Sequence, residues 1–413
     1  MKTSKMKWEK CKLGAILRVT RGASLPGTGY ADAGKYLRLT LGNFREEGGF
    51  KNFKTTQGKF FVGEFDSRFL MSAGDLITPL TEQSPGLLGS VAIIPCDNLY
   101  IQSQDVGLIS CDAKKLDNGF AYYLFLTKSV REQISARSQQ TKIRHTSPDK
   151  IADVEVFLPP LPVQRRIAGV LGAMDEKIAV NRRKIAELEA LAKTVYDYWF
   201  VQFDFPAAHG RPYRSSGGKM AWNASLKREV PDGWNSCAIG ELCNCHDSKR
   251  IPLSGKQRSE MQGKIPYYGA TGVMDHVNKH IFDGEFLLFA EDGSVMTDNG
   301  FPILQIINGK TWVNNHTHVL SPRINCSVKF LQLHFRNISV RKIKTGSIQP
   351  KVTKENLFSF RVLSIPQSVL SIVDGTFNAI QNDIEILEQE VEALTLQRDT
   401  LLPLLMNGQV EVA

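Results

Sequence analysis

The sequence predicts an α+β fold with a pseudo-twofold internal repeat, in which two globular α/β modules are separated by two long helices that form an antiparallel coiled coil. Three observations lead to this prediction. A shift of 206 residues aligns two parts of the 413-residue chain without a gap, both aligned parts run through prolines into a long helix with heptad spacing, and the sequences in front of the two helices differ. The expected boundaries are 1–158 for the first module, 159–200 for the first helix, 201–229 for a linker, 230–364 for the second module, and 365–413 for the second helix with the C-terminal tail.

The repeat begins just ahead of each helix. The shift places Ile151, Val156 and Pro160 on Leu357, Val362 and Pro366. A repeated frame that carries two different modules suits a protein that must read two different features at a fixed separation.

Composition indicates an ordinary soluble chain with an anionic partner. The net charge is +9 with a pI near 9.1, and 42% of the residues are hydrophobic while 23% are charged. This balance favours nucleic acid as the partner, with solubility alone as the alternative.

No apolar run approaches the roughly 20 residues of a membrane span, and the basic N-terminus lacks the apolar segment of a signal peptide. Seven scattered cysteines suit a reducing compartment, so we expect a cytoplasmic protein without membrane association.

The first module is predicted to mix strands and helices. Short apolar segments such as residues 90–95 (SVAIIP) alternate with Gly, Pro and Asn. Three prolines between residues 159 and 162 end this module, and proline suits the first turn of a helix. We expect the first helix to run from Val163 to Trp199.

Apolar residues recur at intervals of four and three along both helices, which predicts a coiled coil when it continues over about four heptads. The first seam consists of Ile167, Leu171, Met174, Ile178, Asn181, Ile185, Leu188, Ala192 and Val195. The second seam consists of Val373, Phe377, Ile380, Ile384, Leu387, Val391, Leu394, Arg398 and Leu401. We expect Pro403 and Gly408 to break the second helix at its tail.

The two helices differ in charge. Residues 164–198 hold seven Lys/Arg and five Asp/Glu, whereas residues 374–399 hold one Arg and seven Asp/Glu. Opposite charge beside apolar seams favours pairing of the helices with each other over pairing with themselves. Asn181 interrupts the first seam, where it either fixes the register or lies at a hydrated edge.

Aromatic residues crowd the end of the first helix. We expect Trp199, Phe200, Phe203 and Phe205 to be buried and to lock the helix to the linker. The linker is rich in Gly, Ser and Pro, and residues 209–228 hold five Lys/Arg and no acid. This basic stretch either contacts DNA or is simply solvated.

The sequence lacks the common catalytic motifs. Gly309-Lys310-Thr311 is not preceded by the glycine that a phosphate-binding loop requires, and neither G-x-S-x-G nor H-E-x-x-H occurs. The prolines of LPPLP lack the flanking residues of an amino-methyltransferase pocket. We therefore expect no catalytic residue.

Possible metal ligands form two weak groups. The first has poor spacing for zinc, and the second supplies only two ligands. They are Cys237, Cys243, Cys245 and His246, and His316 with His318. We expect no metal site.

Basic segments in front of both repeated strands are the main candidates for DNA contact. Residues 327–354 contain seven Lys/Arg and no acid, and residues 135–150 hold the matching position in the first module. Lys and Arg among small polar residues suit phosphate contacts and hydrogen bonds to base edges. The candidates are Arg137, Gln140, Lys142, Arg144 and His145 in the first module, and Arg341, Lys342, Lys344, Thr345, Ser347, Gln349 and Lys351 in the second.

Two tyrosines complete the candidate set. Tyr267 and Tyr268 precede a glycine turn in IPYYGATG. An exposed aromatic residue on such a turn can contact bases or sugars, and a pair that fills the core is the alternative.

These features together resemble the DNA-specificity (S) subunit of type I restriction–modification systems. The segments that carry the resemblance are LPPLPVQRRIAGVLGAMDEKI, YDYWFVQFDFP with GRPYRSSGGKM, IPYYGATGVMD, AEDGSV, TGSIQPKVT and LQRDTLLPLLMNGQV. They occur in family order over nearly the whole chain. Each is weak alone, and they become specific in combination with the internal repeat.

The resemblance implies two target-recognition domains, each reading one half of a bipartite, asymmetric sequence in double-stranded DNA, with spacer helices that fix the gap. It implies that this subunit is not catalytic and binds no cofactor itself. The implied partners are two methyltransferase (modification) subunits, which use S-adenosylmethionine, and restriction subunits, which use ATP and Mg.

One segment departs from the family pattern, and two other functions remain as alternatives. The start of the second helix, SIPQSVLS, lacks the Q-R-R-I of the first, which puts partner contacts at that point in doubt. The alternatives are a coiled-coil scaffold that does not bind DNA and an enzyme in which a methyltransferase is fused to recognition domains.

Overall fold

The computed structural model describes residues 8–51, 60–83, 86–138, 144–346 and 350–412. The chain forms two compact units, one made of residues 1–180 with 390–413 and the other of residues 181–389. Each unit therefore combines one module with one half of each long helix. This division cuts across the five segments expected from the sequence, because each half-helix packs on a module and is part of its core.

The first module is built on a four-stranded antiparallel sheet. Its strands lie in the order Leu17–Arg21, Val106–Cys111, Leu76–Pro79 and Ala92–Ile93. A smaller sheet contains Tyr30–Ala31, Phe60–Phe61, Tyr36–Arg38 and Tyr100–Ile101, of which the last two are parallel. Two-stranded pairs join Glu9–Lys12 to Glu155–Leu158 and Thr81–Glu82 to Arg144–His145. The helices are Asn118–Leu126, Lys128–Ala136 and Pro148–Ala152.

The second module has a main sheet with the same strand order and direction. Its strands are Cys243–Cys245, Thr317–Pro322, Phe286–Ala290 and Leu304–Ile307. A second sheet contains Gly272–Val277, Gln262–Gly269, Lys310–Val313 and Phe282–Asp283, with the middle two parallel. Two-stranded pairs join Asn235–Ala238 to Arg361–Ser364 and Lys344–Thr345 to Lys351–Val352. The helices are Ile239–Leu242, Gly255–Glu260, Val328–Phe335 and Lys354–Ser359.

The repeat therefore extends through both modules, although their sequences differ. Each module opens with W-x-x-C-x-[LI]-G, and these openings, at Trp8 and Trp234, lie 226 residues apart. A constant shift of 206 misses them because the second module is shorter by about 20 residues. The glycines of the motif are needed for packing: a Cβ on Gly14 would lie 2.9 Å from Cβ of Ala152, and one on Gly240 would lie 2.8 Å from the ring of Phe358.

Both long helices form, with bounds close to those expected. The first runs over Leu161–Tyr196 and continues into a π-helical turn, Asp197–Val201, while the second runs over Gln367–Met406. The first begins two residues earlier than expected because a proline in the first turn loses no helical hydrogen bond. Within the described residues, no helix is long and apolar enough to cross a membrane.

The expectation that Pro403 breaks the second helix is wrong. Pro403 lies inside the helix, near its end, where the lost N–H costs one hydrogen bond while the next turn still forms. The N–H of Asn407 donates to the carbonyl of Pro403 at 3.1 Å. The helix instead ends at Met406, two residues before Gly408, whose φ of +65° is readily adopted by glycine.

Every expected seam position is buried or half-buried. In the first unit, Ile167 and Leu171 share a core with Leu405 and Met406. In the second unit, Ala192 and Tyr196 share a core with residues 373–384 of the second helix. Asn181 has no exposed surface, so the alternative of a hydrated edge is wrong.

Polar contacts give the helices an antiparallel order within each unit. In the first unit, Arg398 Nη1 lies 2.7 Å from Asp175 Oδ1, and Lys177 Nζ lies 3.2 Å from Glu390 Oε1. Residue numbers thus rise along the first helix where they fall along the second. In the second unit, Glu189 lies near Glu388, and the rings of Tyr196 and Phe377 lie 6.3 Å apart, so a later residue of the first helix meets an earlier residue of the second.

Different residues attach the two helix starts to their modules. Gln164 is fully buried, and its side-chain amide bonds to Asp117 N, Lys115 O and Pro159 O at 2.8–2.9 Å. The repeat places Leu370 at this position in the second helix, where the carboxylate of Asp374 instead accepts from Ser327. The second helix, which departs from the Q-R-R-I pattern, is therefore attached to its module through Asp374, as the first helix is attached through Gln164.

The segment expected to be a linker is part of the second unit. Its strands Met220–Asn223 and Arg228–Pro231 form an antiparallel hairpin. The ring of Phe205 stacks between Tyr213 and Trp234, with 4.9 Å between ring centroids on each side. The stacked aromatic rings thus pack this segment onto the second unit, although its many glycines and serines indicate a linker.

The aromatic cluster at the end of the first helix yields a stability prediction. Phe200 is 1% exposed, whereas Trp199 is only half-buried and so departs from the expected full burial. Phe200→Ala should lower the free energy of unfolding by about 3–5 kcal/mol, as for other buried aromatic truncations. Trp199→Ala should cost less, and Tyr198→Ala, at a 40% exposed position, serves as the control. Urea unfolding of the full chain measures all three, and an equal loss for Phe200 and Tyr198 would contradict the packing described.

Candidate nucleic-acid interface

The basic segments of the two modules occupy equivalent places in the fold. In the first module, Arg144–His145 pairs with the strand that follows Leu76–Pro79, the inner strand of the main sheet that we call its central strand. In the second, Lys351 forms a β-bridge with Asp292, which follows the corresponding central strand, Phe286–Ala290. A short helix with a hydroxyl cap comes directly after each segment, capped by Ser147 in one module and Thr353 in the other.

In the first module, Arg144 is mainly a structural residue. Its Nη1 lies 2.8 Å from Glu82 Oε1, and its Nη2 donates to the carbonyl of Ser135 and to Ser138 Oγ, both at 2.9 Å. These partners tie the guanidinium to its own module, and its role as a DNA-contact candidate stays a prediction. Arg137 and His145 are half-buried. Gln140 and Lys142 lie outside the described residues.

In the second module, two cations are better placed for phosphate contact. Arg341 and Lys342 are exposed, and no carboxylate pairs with either of them in the part of the chain that the structure describes. Lys344 is half-buried, and the exposed Thr345 donates through its hydroxyl to the carbonyl of Lys351 at 3.2 Å. Ser347 and Gln349 lie outside the described residues.

Tyr267 is a core residue, so its assignment as a DNA-contact candidate is corrected. It is 1% exposed, packs with Val277 and Trp312, and accepts a hydrogen bond from Leu253 N through its hydroxyl at 3.1 Å. Tyr268 is half-buried against a second apolar cluster. The core alternative therefore holds for Tyr267, because its side chain points inward from the strand Gln262–Gly269.

A buried charge network lies beneath the basic segment of the second module. Glu291 Oε2 is 2.6 Å from Arg250 Nη1, and Glu291 Oε1 is 3.1 Å from Lys351 Nζ. Asp247 Oδ2 is 2.6 Å from His318 Nδ1 and 3.2 Å from Arg250 Nη2. Lys351 is thus held by a carboxylate of its own module, which leaves it less available to DNA than Arg341.

Both ring nitrogens of His318 face oxygen acceptors. The residue is 1% exposed, and its Nε2 donates to the carbonyl of Val352 at 2.9 Å while its Nδ1 donates to Asp247. Burial opposes the charge, but these hydrogen bonds, together with Cys245 and the Asp247 carboxylate, raise the pKa of His318 to about 9. Both nitrogens are used as donors, so the ring links the strand pair of the basic segment to the sheet.

The groups considered as metal ligands are arranged differently from the sequence grouping. Donor atoms of Cys245, Asp247 and His318 lie within 4.8 Å of one another. Both ring nitrogens of His318 contact oxygen atoms, those of Asp247 and Val352, and Arg250 Nη2 lies 3.2 Å from Asp247 Oδ2. Cys237 and Cys243 are buried among apolar residues, and burial raises the pKa of the Cys243 thiol to about 12.

Comparisons with known proteins identify the family. The model for the type I restriction modification DNA specificity domain matches residues 5–190 and 231–394, which together exceed half of the chain. The chain belongs to this type I restriction–modification DNA specificity family.

Individual relatives agree with the family assignment. A protein of Haemophilus influenzae named as a type I restriction enzyme specificity subunit is 32% identical over 33% of this chain and 36% of its own length. The MjaIX specificity subunit of Methanocaldococcus jannaschii is 23% identical over 71% of this chain and 69% of its own. The chain thus matches about a third of one relative and two thirds of the other.

A solved structure shares the fold. The crystal structure of the type I restriction–modification S subunit from M. genitalium superimposes with a TM-score of 0.61 at 18% identity. The match covers 98% of this chain and 97% of that chain.

Sequence reasoning missed the carboxylates behind the basic segments of this specificity protein. Glu82 and Glu291 are 1% and 8% exposed, yet both stand in short polar stretches that look like surface loops. A usable signal exists: Glu291 directly follows the apolar strand residues of FLLFAE, and Glu82 lies two residues after Leu80 in the largely apolar LITPLTE. Asp247 and His318 lie 71 residues apart, and nothing local in the sequence joins them.

The two buried histidines of the second module, His318 and His334, should have pKa values shifted in opposite directions. His318 faces Asp247, Glu291, Cys245, Arg250 and Lys351, and its pKa of about 9 lies above the ordinary 6.5. Its stabilising effect should be fully present below pH 6.5 and lost as the pH rises through 9. His334, buried with Nδ1 accepting from Tyr196 and Nε2 donating to Leu363, has its pKa lowered to about 4 by burial.

Ring resonances of the histidine-labelled full chain measure both values. We expect a charged His318 and a neutral His334 at pH 6.5. Titration of His318 at or below pH 6.5 would contradict the charge network. His318→Asn and His334→Asn variants assign the resonances.

Proposed function

We propose that this chain is the sequence-specific DNA-binding subunit of a type I restriction–modification complex, in which each module reads one half of a bipartite target. One observation carries the proposal. The two modules share the strand order of their main sheet, differ in sequence, and carry a basic segment at the same place. Equal scaffolds with unequal surfaces are suited to reading unequal half-sites.

Phosphate contact by exposed cations positions a protein on DNA, and side chains on the adjoining loops read the bases. Arg341 and Lys342 supply such cations in the second module. The net charge of +9 favours the same partner through long-range attraction.

We further propose that the long helices set the gap between the half-sites and recruit the other subunits. Helices of 36 and 40 residues correspond to about 54 and 60 Å of axial length. The recruited partners would be two modification subunits, which use S-adenosylmethionine, and restriction subunits, which use ATP and Mg. In this proposal the chain itself binds no cofactor and catalyses no reaction.

The exposed cations yield a test of DNA contact. Each phosphate contact contributes about 0.9 to the slope of log K against log salt concentration. Arg341→Ala with Lys342→Ala should therefore weaken DNA binding by the assembled complex and flatten the slope by about 1.8. Fluorescence anisotropy at several salt concentrations gives the slope. Lys256→Ala with Lys310→Ala, also exposed in the second module, is the matched control, and an equal change in both pairs would refute the assignment.

The helices yield a test of the gap. Deleting Ile178–Lys184 shortens the first helix by about 10 Å and keeps the seam in phase. The heptad 389–395 of the second helix should be deleted with it, which shortens both helices equally and keeps both seams in phase. We expect the double deletion to change the preferred gap, or to abolish binding, while each half-site keeps its bases.

Selection from a DNA library with randomised gap length measures this outcome. Deletion of one heptad alone is the control, because it leaves the two seams unequal in length. Selection of the original half-sites at the original gap by the double deletion would show that the helices do not set the spacing.

A further inference from the structure

Each module contains one buried glutamate at the place where its basic segment meets the main sheet. Glu82 is the β-partner of Arg144, and the backbone carbonyl of Glu291 accepts from Val352 N at 2.7 Å. Both glutamates come shortly after the central strand of the sheet, at Leu76–Pro79 and Phe286–Ala290. Two modules of different sequence thus bury an acid under their basic segments.

In the first module, Glu82 joins three parts of the structure. Its Oε2 accepts the backbone N–H groups of Gly86, Leu87 and Leu88 at 2.8–3.0 Å, which ties these three residues to the strand Thr81–Glu82. Its Oε1 lies 2.8 Å from Arg144 Nη1, in the basic segment. Through Arg144 the contact continues to Ser138, beyond the C-terminal end of the helix Lys128–Ala136.

In the second module, Glu291 has the same position but different partners. Arg250 and Lys351 approach its two carboxylate oxygens at 2.6 and 3.1 Å, and His318 Nδ1 lies 3.7 Å away. Burial alone would raise the pKa of Glu291, but these cations hold it below the ordinary value. The carboxylate is therefore charged, and it fixes Lys351 at the edge of the strand pair Lys344–Thr345 and Lys351–Val352.

The two arrangements have a common physical effect. A buried charge is strongly unfavourable once its partner is lost, so each ion pair permits only conformations in which segment and sheet stay joined. The carboxylates face the protein interior, where they accept hydrogen bonds or pair with cations, and a carboxylate in contact with DNA would be repelled by phosphate.

We propose that Glu82 and Glu291 are positioning residues for DNA recognition, each of which holds the basic segment of its own module in the conformation that reads one half-site. The proposal rests on the proposed function above. It goes further because it assigns the specificity of each half-site to an internal contact of one module. Neither glutamate touches DNA in this proposal.

The test compares Glu82→Gln and Glu291→Gln in the full chain assembled with its modification subunit. The probe is the duplex that the unaltered complex selects from a random library. Affinity is measured for this duplex and for duplexes with one base pair changed in either half. We expect each variant to lose about tenfold discrimination at one half-site, roughly the effect of one mismatched base pair, and to keep discrimination at the other.

Matched controls separate positioning from general damage. Glu132→Gln and Glu260→Gln remove exposed carboxylates from the same two modules and should leave both half-sites unchanged. Arg144→Gln combined with Glu82→Gln removes the pair as a unit and should be no worse than Glu82→Gln alone. If Glu82→Gln fails to assemble, Ser138→Ala, which removes one hydrogen bond of Arg144, should show a smaller loss at the same half-site.

Three results would decide against the proposal or its basis. Equal loss at both half-sites would show a general structural effect and overturn it. Unchanged discrimination in Glu82→Gln and Glu291→Gln would also overturn it. If the unaltered complex selected no bipartite site, the proposed function itself would fail, independently of the variants.

Discussion

The apolar seam of the two long helices is the constraint on which the rest of the structure depends. Each unit contains one half of each helix, and in each unit the seam residues are part of the core of a module. Ile167 and Leu171 pack with Phe120 and Phe125 in one unit, as Val373 and Phe377 pack with Phe330 in the other. The helices are therefore not appendages of the modules, because removing a half-helix would expose the apolar face of a module to water.

This constraint explains why the repeat is visible at the helices and hidden in the modules. A seam residue must suit its own helix, the facing helix and a module, so few substitutions keep all three contacts. Inside a module the demand is topological: Gly14 and Gly240 must lack a side chain because Ala152 and Phe358 press on them, while most strand residues need only be apolar. Two modules can then share a strand order at a sequence similarity too low to align.

The sequence predicted the repeat, both helices, their seams and the basic segments, because each depends on local periodicity or composition. It did not predict which of the cations pair with a carboxylate of their own module. Arg144 and Arg341 look alike in the sequence, but Arg144 is bound to Glu82, which lies 62 residues away along the chain, and Arg341 is exposed. Likewise Tyr267 and Tyr268 are adjacent, yet strand alternation buries the first almost completely. Non-local pairing decides such cases, and a single sequence carries no signal for it.

The buried acids Glu82 and Glu291 join the basic segment of each module to its main sheet. Glu82 and Glu291 bind the base of each basic segment through groups that face inward, so the residues that face outward are free to differ between modules. Under the proposed function, substitutions of the outward residues can change which half-site is read. The sheet, the ion pair of the buried glutamate and the long helices then stay the same. The internal charge of each module, hidden from solvent, thereby fixes the base of its basic segment and leaves the outward residues free of that structural task.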